Sequence, residues 1–408
     1  MSKIVLYETQ EQHVNLRPMS YTRPIADFRV GILTIREKWQ RRISGVYLYS
    51  PAPCLREVFG DGSCVDKPAA GETMLFIDSE WLPDDGLADA VAALREGERL
   101  VSEGKVVAMR CSAESFHNRG DVEWRDVEYS PCKPPRNINY LYDIFLNNGV
   151  EIENDFRLLT HGRKGAPLPD TCVWIGKHKD DGVPRLFIEE GAKAECCSFN
   201  TNEGPIYIGK DAEVQEGSHL RGPIALCGNS RINMGTKIYG GTTIGPWSKV
   251  GGEINNAVIF GYSNKAHDGY LGNAVIGEWC NIGAGTNASN LKNDYSMVRQ
   301  WNYAKRGFMR TQLQFCGLVM GDHSKIGINC MLNTATVIGV GVNLHGTGYP
   351  RVFIPSFSEG SPQSGFKDVS LDKFFTIAER VMSRRGVSLT DADKNLFEHV
   401  ASEAKAFK

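Results

Sequence analysis

Residues 208–250 read IGKDAEVQEGSHLRGPIALCGNSRINMGTKIYGGTTIGPWSKV. Every sixth position is aliphatic: Ile208, Val214, Leu220, Leu226, Ile232, Ile238, Ile244 and Val250. The beat returns at Ile276 and Ile282, and again at Met320, Ile326, Leu332, Ile338 and Leu344. Glycine often follows directly, as in Gly209, Gly245, Gly251, Gly277, Gly283, Gly321, Gly327 and Gly339. A six-residue period predicts short strands joined by tight turns, three rungs closing one triangular coil of a parallel β-helix. The aliphatic residue points inward and stacks on its equivalents in the coils above and below. Glycine and asparagine supply turn conformations that other residues resist.

The chain has 408 residues, too many for one ordinary core, so two domains or more are expected. Its formal net charge is -2. That balance predicts neither a nucleic-acid partner nor an anionic membrane surface. The start, MSKIVLYETQ, has no apolar signal segment, and no run reaches the length of a membrane span. The 11 cysteines are scattered without zinc-like pairs, which predicts reduced thiols in a cytoplasmic setting.

Residues 1–165 read as an α/β domain. Lys3–Tyr7, 46–49 and Thr73–Asp78 have strand composition, and 31–40 and 87–98 have helical spacing, an alternation that favours a doubly wound sheet. Residues 131–135 break the chain, 138–148 look helical, and 162–169 read as a linker. The β-helix is expected over 170–355. A polar, aromatic insertion interrupts it at about 287–316, and a shorter slip covers 256–270. A loop of the first length in a regular solenoid is usually functional or packs on a neighbouring subunit. Residues 356–408 read as a C-terminal helical cap on the open end of the solenoid. Its helices, 372–385 and 391–406, are preceded by Ser370 and by Ser388 or Thr390 and separated by Gly386.

One segment with chemistry is NLRPMSYTRPIADFRVG at residues 15–31. Leu16-Arg17-Pro18, Thr22-Arg23-Pro24 and Val30 resemble the signature of sugar-1-phosphate nucleotidyltransferases. The resemblance implies a nucleoside triphosphate held by cations and backbone N–H groups, with Mg²⁺ between phosphates. Arg17, Arg23, Arg29 and Lys38 are the candidate cations, with Arg23 the catalytic one. Two departures stand out: ETQEQHV at 8–14 replaces the family's glycine-rich entry, and Ile25 stands where its lysine is expected. Either Arg23, Arg29 or Lys38 has taken over that charge, or the domain no longer does chemistry. Asp78 and Glu80, at a strand end comparable with the family's metal carboxylate, are the candidate metal ligands. Solvated charges at a strand end are the alternative for either one alone.

The other segment lies in the coils: Val250-Gly-Gly-Glu253, then SNKAHDGYLGN at 263–273, Gly277, NIGAGT at 281–286 and Ser289-Asn290. In order and spacing it is similar to the acetyltransferase half of the bacterial bifunctional N-acetylglucosamine-1-phosphate uridylyltransferase/glucosamine-1-phosphate acetyltransferase. His267 falls on that family's catalytic base and Asn290 on the asparagine that holds the amine. A sugar amine is protonated near neutral pH and must lose a proton before attacking a thioester, a task matched to histidine. The family's next tyrosine is Leu291 here, so Tyr295 or Tyr303 is expected to substitute. Lys265, Lys292 and Arg306 are candidates for sugar phosphate or coenzyme A phosphates. His323 and His345 lack such context and are read as structural. A three-histidine metal site with His267 has no tight His pair behind it.

Strings over residues 22–39, 204–209, 261–269, 277–281, 289–293 and 321–325 resemble one branch in particular. This is a variant nucleotidyltransferase/hexapeptide acyltransferase family found mainly in Bacteroidetes and related bacteria. That resemblance implies a left-handed coil, a homotrimer with an acyl-CoA site between two coils, and two reactions. One is acetyl transfer from acetyl-CoA to an amino-sugar phosphate; the other is nucleotidyl transfer from UTP or another NTP to a sugar-1-phosphate with Mg²⁺. Two alternatives remain: a single nucleotidyltransferase activity with the solenoid as assembly module, and a non-catalytic trimeric scaffold or sugar-nucleotide sensor.

Overall fold

The computed structural model describes residues 2–60, 72–176 and 185–408. The chain divides into two compact units. The first comprises Met1–Leu16, Ser20–Phe28 and Leu33–Asn139, and the second Arg17–Met19, Arg29–Ile32 and Tyr140–Lys408. The helical stretch expected near 138–148 is a 20-residue helix, Leu141–Thr160, and belongs to the second unit.

The first unit is built on a 6-stranded sheet in the order Val46–Ser50, Lys3–Tyr7, Thr73–Asp78, Lys105–Ser112, Glu98–Ser102, Arg125–Glu128. Lys3–Tyr7 and Thr73–Asp78 are buried along nearly their whole length, which explains why they read as continuous apolar runs rather than alternating ones. The sheet is mixed, because Lys105–Ser112 runs antiparallel to both of its neighbours. A tight Glu103-Gly104 turn, both residues at positive φ, joins it to Glu98–Ser102 as a hairpin. The helix expected over 87–98 therefore ends early and spans Asp85–Ala92, its first turn capped by Asp84. Phe76 stacks on Phe116 at 4.1 Å within a cluster that includes Val5, Met74 and Met109. Tyr7 pairs in register with Asp78, so the two parallel strands end at the same level. Such a carboxyl edge is where α/β sheets open a crevice.

The second unit is a parallel β-helix. On one side the register runs Ile188, Ile208, Leu226, Ile244, Ile259, Ile276, Met320, Ile338, Ile354. A second side carries Leu220, Ile238, Ile254, Leu271, Ala288 and Leu332. The third is the 10-stranded sheet through Val214, Ile232 and Val250. The inward residues form one buried stack. One corner repeats a left-handed residue at Asp211, Asn229, Trp247, Tyr262, Trp279 and His323. Bulky side chains resist that conformation. Here ring stacking offsets the strain, with Tyr262 on Trp279 at 4.3 Å and Trp279 on His323 at 6.1 Å.

The C-terminal helices, Leu371–Ser383 and Asp391–Ala404, are capped by Ser370 and Thr390. They lie along that aromatic corner rather than across the open end. Phe374 and Phe397 meet the His323 ring at 5.6 and 5.3 Å, and the Arg385 guanidinium sits 5.8 Å from the Trp247 ring. The coil is finished instead by Gly365–Asp368, which turns back antiparallel on Ser358–Ser361. The insertion holds a hairpin, Arg299–Asn302 with Gly307–Arg310. Trp301 from it stacks on Phe353 at 4.1 Å.

Candidate functional site

In the first unit a cavity of about 510 Å³ opens at the carboxyl edge of the sheet. Asp78 ends its strand, and Glu80 follows two residues later on the same bend; both are buried. The Gln12 side-chain amide joins them, donating to Asp78 Oδ1 and Oδ2 at 3.1 and 2.9 Å and to Glu80 Oε2 at 2.9 Å. The Glu80 N–H donates to Asp78 Oδ1 at 3.0 Å, and Asn137 Nδ2 to Glu80 Oε1 at 3.2 Å. Burial, then the charge of Glu80, pushes the Asp78 carboxyl up to about 7. Two buried carboxylates, with oxygens converging on one point, suit a hard divalent cation that takes oxygen ligands.

The cations that line this cavity are Arg99, Lys105 and Arg119. Lys105 Nζ is 3.7 Å from Glu80 Oε1 and donates to Asn139 Oδ1 at 2.6 Å. Arg99 is held by a bidentate pair with Asp126 at 2.7 and 2.9 Å, and its guanidinium lies 5.8 Å from the Trp124 ring. Sequence reasoning missed all three, because they come from the hairpin strands and from the loop after the helix Ala113–His117.

The expected cations stand elsewhere. None of Arg17, Arg23, Arg29 and Lys38 is among the described residues that line the cavity. Arg17 and Arg29 belong to the second unit. Arg17 pairs with Glu403 at 2.8 Å. Arg29 donates to the Phe260 carbonyl at 3.2 Å. Arg23 and Lys38 are in the first unit and are buried, Lys38 completely.

In the second unit His267 sits exposed in a corner turn. Three residues on, the Tyr270 hydroxyl accepts from Asn290 Nδ2 at 3.0 Å, and the same nitrogen donates to Asn273 Oδ1 at 2.7 Å. With its amide turned to satisfy its neighbours, Asn256 accepts from Asn273 Nδ2 at 3.0 Å. Asn256, Asn273 and Asn290 therefore form a ladder across successive coils. The tyrosine beside Asn290 is Tyr270, which the motif segment itself contained. Tyr303 is instead buried against Phe353 and Phe407, at 5.5 and 5.0 Å, and Tyr295 is exposed.

The basic candidates of the coil also divide. Lys265 points inward, 2% exposed, and its Nζ donates to the carbonyls of Gly251 and His267. Burial lowers its pKa to about 8. Lys292 caps its own loop, donating to Ser296 Oγ and the Met297 carbonyl at 3.3 and 3.2 Å. Arg306 lies 5.3 Å from the Phe407 ring.

Among the described residues no group of three His, Cys, Asp or Glu side chains is placed to hold a metal. Nor is any helix among them long and apolar enough to cross a membrane.

Residues 4–164 match a family model described as sugar nucleotidyl transferase. The bifunctional sugar-1-phosphate nucleotidylyltransferase/acetyltransferase of Sulfurisphaera tokodaii is 29% identical over 139 residues, 34% of this chain and 34% of that protein. The bifunctional protein GlmU of Paraburkholderia xenovorans is 24% identical over 229 residues, 51% of this chain and 47% of that protein. The matched stretch thus spans less than half the length of either relative. A solved UDP-N-acetylglucosamine acyltransferase from Francisella novicida aligns at 12% identity over 59% of this chain and 86% of that one, with a TM-score of 0.26. Over residues 4–164 the chain matches the sugar nucleotidyl transferase family, and the relatives it resembles are bifunctional transferases.

Proposed function

We propose that the first unit transfers a nucleotidyl group from a nucleoside triphosphate such as UTP to a sugar-1-phosphate. The observation that carries this is the convergence of Asp78 and Glu80 in one cavity with Arg99, Lys105 and Arg119 at its walls. A sugar phosphate oxygen attacks the α-phosphorus, the bond to the β-phosphate oxygen breaks, and pyrophosphate leaves. Little covalent work falls to the protein, so positioning and charge neutralisation dominate. Arg99, Lys105 and Arg119 would bind the phosphates. Asp78 and Glu80 would hold Mg²⁺, which supplies charge neutralisation when bound.

For the second unit we propose acyl transfer from acetyl-CoA to an amino-sugar phosphate. The amine nitrogen attacks the thioester carbon, the C–S bond breaks, and the thiolate leaves. His267 would take the proton from the amine. Because the Asn290 amide nitrogen is engaged by Tyr270 and Asn273, its Oδ1 would be the atom to accept from an amine proton. A homotrimer in a cytoplasmic setting, with the acyl-CoA groove between coils, belongs to this reading, as do domain borders near 165 and 355.

A second reading is nucleotidyl transfer alone with the coil as assembly module. One experiment separates the two. Purified protein is given glucosamine-1-phosphate, acetyl-CoA, UTP and Mg²⁺, and free thiol and pyrophosphate are read separately. The two-reaction reading expects both, with thiol release falling about 10²- to 10⁴-fold in His267→Ala. Pyrophosphate alone, when an acetylated sugar phosphate is supplied, supports the single activity. Silence in both channels across other sugar phosphates and triphosphates rejects both.

A further inference from the structure

We infer that Gln12 is a positioning residue whose side-chain amide nitrogen stands in for the divalent cation, and that it must swing away when the cation enters. The inference rests on the nucleotidyl-transfer reading of the Asp78–Glu80 pair.

Three carboxylate oxygens lie 2.9–3.1 Å from Gln12 Nε2. A primary amide has only two N–H bonds, so this is a shared arrangement around one point and not three separate hydrogen bonds. A cation bound by Asp78 and Glu80 would be held by the same oxygens, at about 2.1 Å for Mg²⁺. The two occupants exclude each other.

The orientation of the amide is set by the chain. Gln12 Oε1 accepts from the Thr9 N–H at 2.8 Å, and Thr9 Oγ1 accepts from the Gln12 N–H at 3.2 Å. That capping box at the start of Gln10–Asn15 leaves Nε2 as the atom facing the carboxylates. The carboxylates keep other anchors, Asp78 on the Glu80 N–H and Glu80 on Asn137. Departure of Gln12 would therefore leave the pair in place for a cation, at the expense of one capping bond at Thr9.

The test is Mn²⁺ uptake by the full chain, read from the spin-resonance signal of free Mn²⁺, beside melting temperature in a chelator. Wild type, Gln12→Met and Asp78→Asn are compared. Removing the competing amide from the carboxylates is expected to lower the melting temperature without metal and to tighten Mn²⁺ binding about tenfold, the worth of one charge-assisted hydrogen bond. A merely structural role would weaken both. Gln12→Asn, too short to reach both carboxylates, should bind more tightly too, and serves if the Met variant does not fold. Mn²⁺ uptake that is lost in Asp78→Asn but equal or weaker in the Gln12 variants overturns this inference alone. No uptake in wild type, or uptake unaffected by Asp78→Asn, overturns the cation reading with it.

Discussion

Lys265 lies directly across the ladder from Val250, at a position that points into the aliphatic stack of the coil. Its Nζ escapes that stack only far enough to donate to the carbonyls of Gly251 and His267.

This arrangement gives a pH-dependent stability with a definite sign. The Lys265 pKa is lowered from 10.5 to about 8 in the fold, mainly by burial. The unfolded chain then binds more protons between those values, so the destabilisation by the buried ammonium is complete below about 8 and fades toward 10.5. Lys265→Met should be more stable than wild type at pH 7, and that advantage should shrink by pH 10. Urea midpoints of the two proteins at both values check this. An advantage that grows with pH would mean the lysine is stabilised in its charged form.

Gly245 follows the inward Ile244, and a Cβ there would overlap the carbonyl oxygens of Ile259 and Phe260 in the next coil. Backbone cannot move aside cheaply in a packed stack. Gly245→Ala is therefore expected to cost several kcal/mol, at or beyond the ~1–3 of ordinary overpacking. Its thermal unfolding should fall well below that of Gly307→Ala, where the backbone is not at positive φ and a Cβ makes only an ordinary contact of 3.6 Å with the Lys305 carbonyl. Equal melting of the two would show that the coil can dilate.

Phe374 anchors the C-terminal helices, with ring centroids 4.9 Å from Phe357 and Phe397 and 5.6 Å from His323. Phe374→Ala should cost about 3–5 kcal/mol by cavity formation. Limited proteolysis should then cut the 384–390 connection faster than in wild type. An unchanged cleavage rate would mean that the helices are held elsewhere.

The coil was legible because each inward residue is dictated locally, one aliphatic residue per rung. The inward placement of Lys265 has a physical source in that same rhythm. Val250 pairs with Lys265 and Ile244 with Ile259, across a coil shorter than its neighbours, so the six-residue count goes out of phase there. Asp78 and Glu80 were legible because a strand end marks them. Arg99, Lys105 and Arg119 were not, because an antiparallel hairpin and a loop bring them to the cavity, and neither leaves a motif. Arg17 and Arg29 carried a motif, but their partners, Glu403 and the Phe260 carbonyl, lie far along the chain.

The central claim, that the cavity at Asp78 and Glu80 is a nucleotidyl-transfer site, is tested most directly by pyrophosphate release. Wild type, Asp78→Asn and Arg119→Ala are given sugar-1-phosphates and nucleoside triphosphates with Mg²⁺. The account predicts release by wild type that falls about 10²-fold or more in Asp78→Asn and less steeply in Arg119→Ala. Release that survives Asp78→Asn unchanged would contradict it.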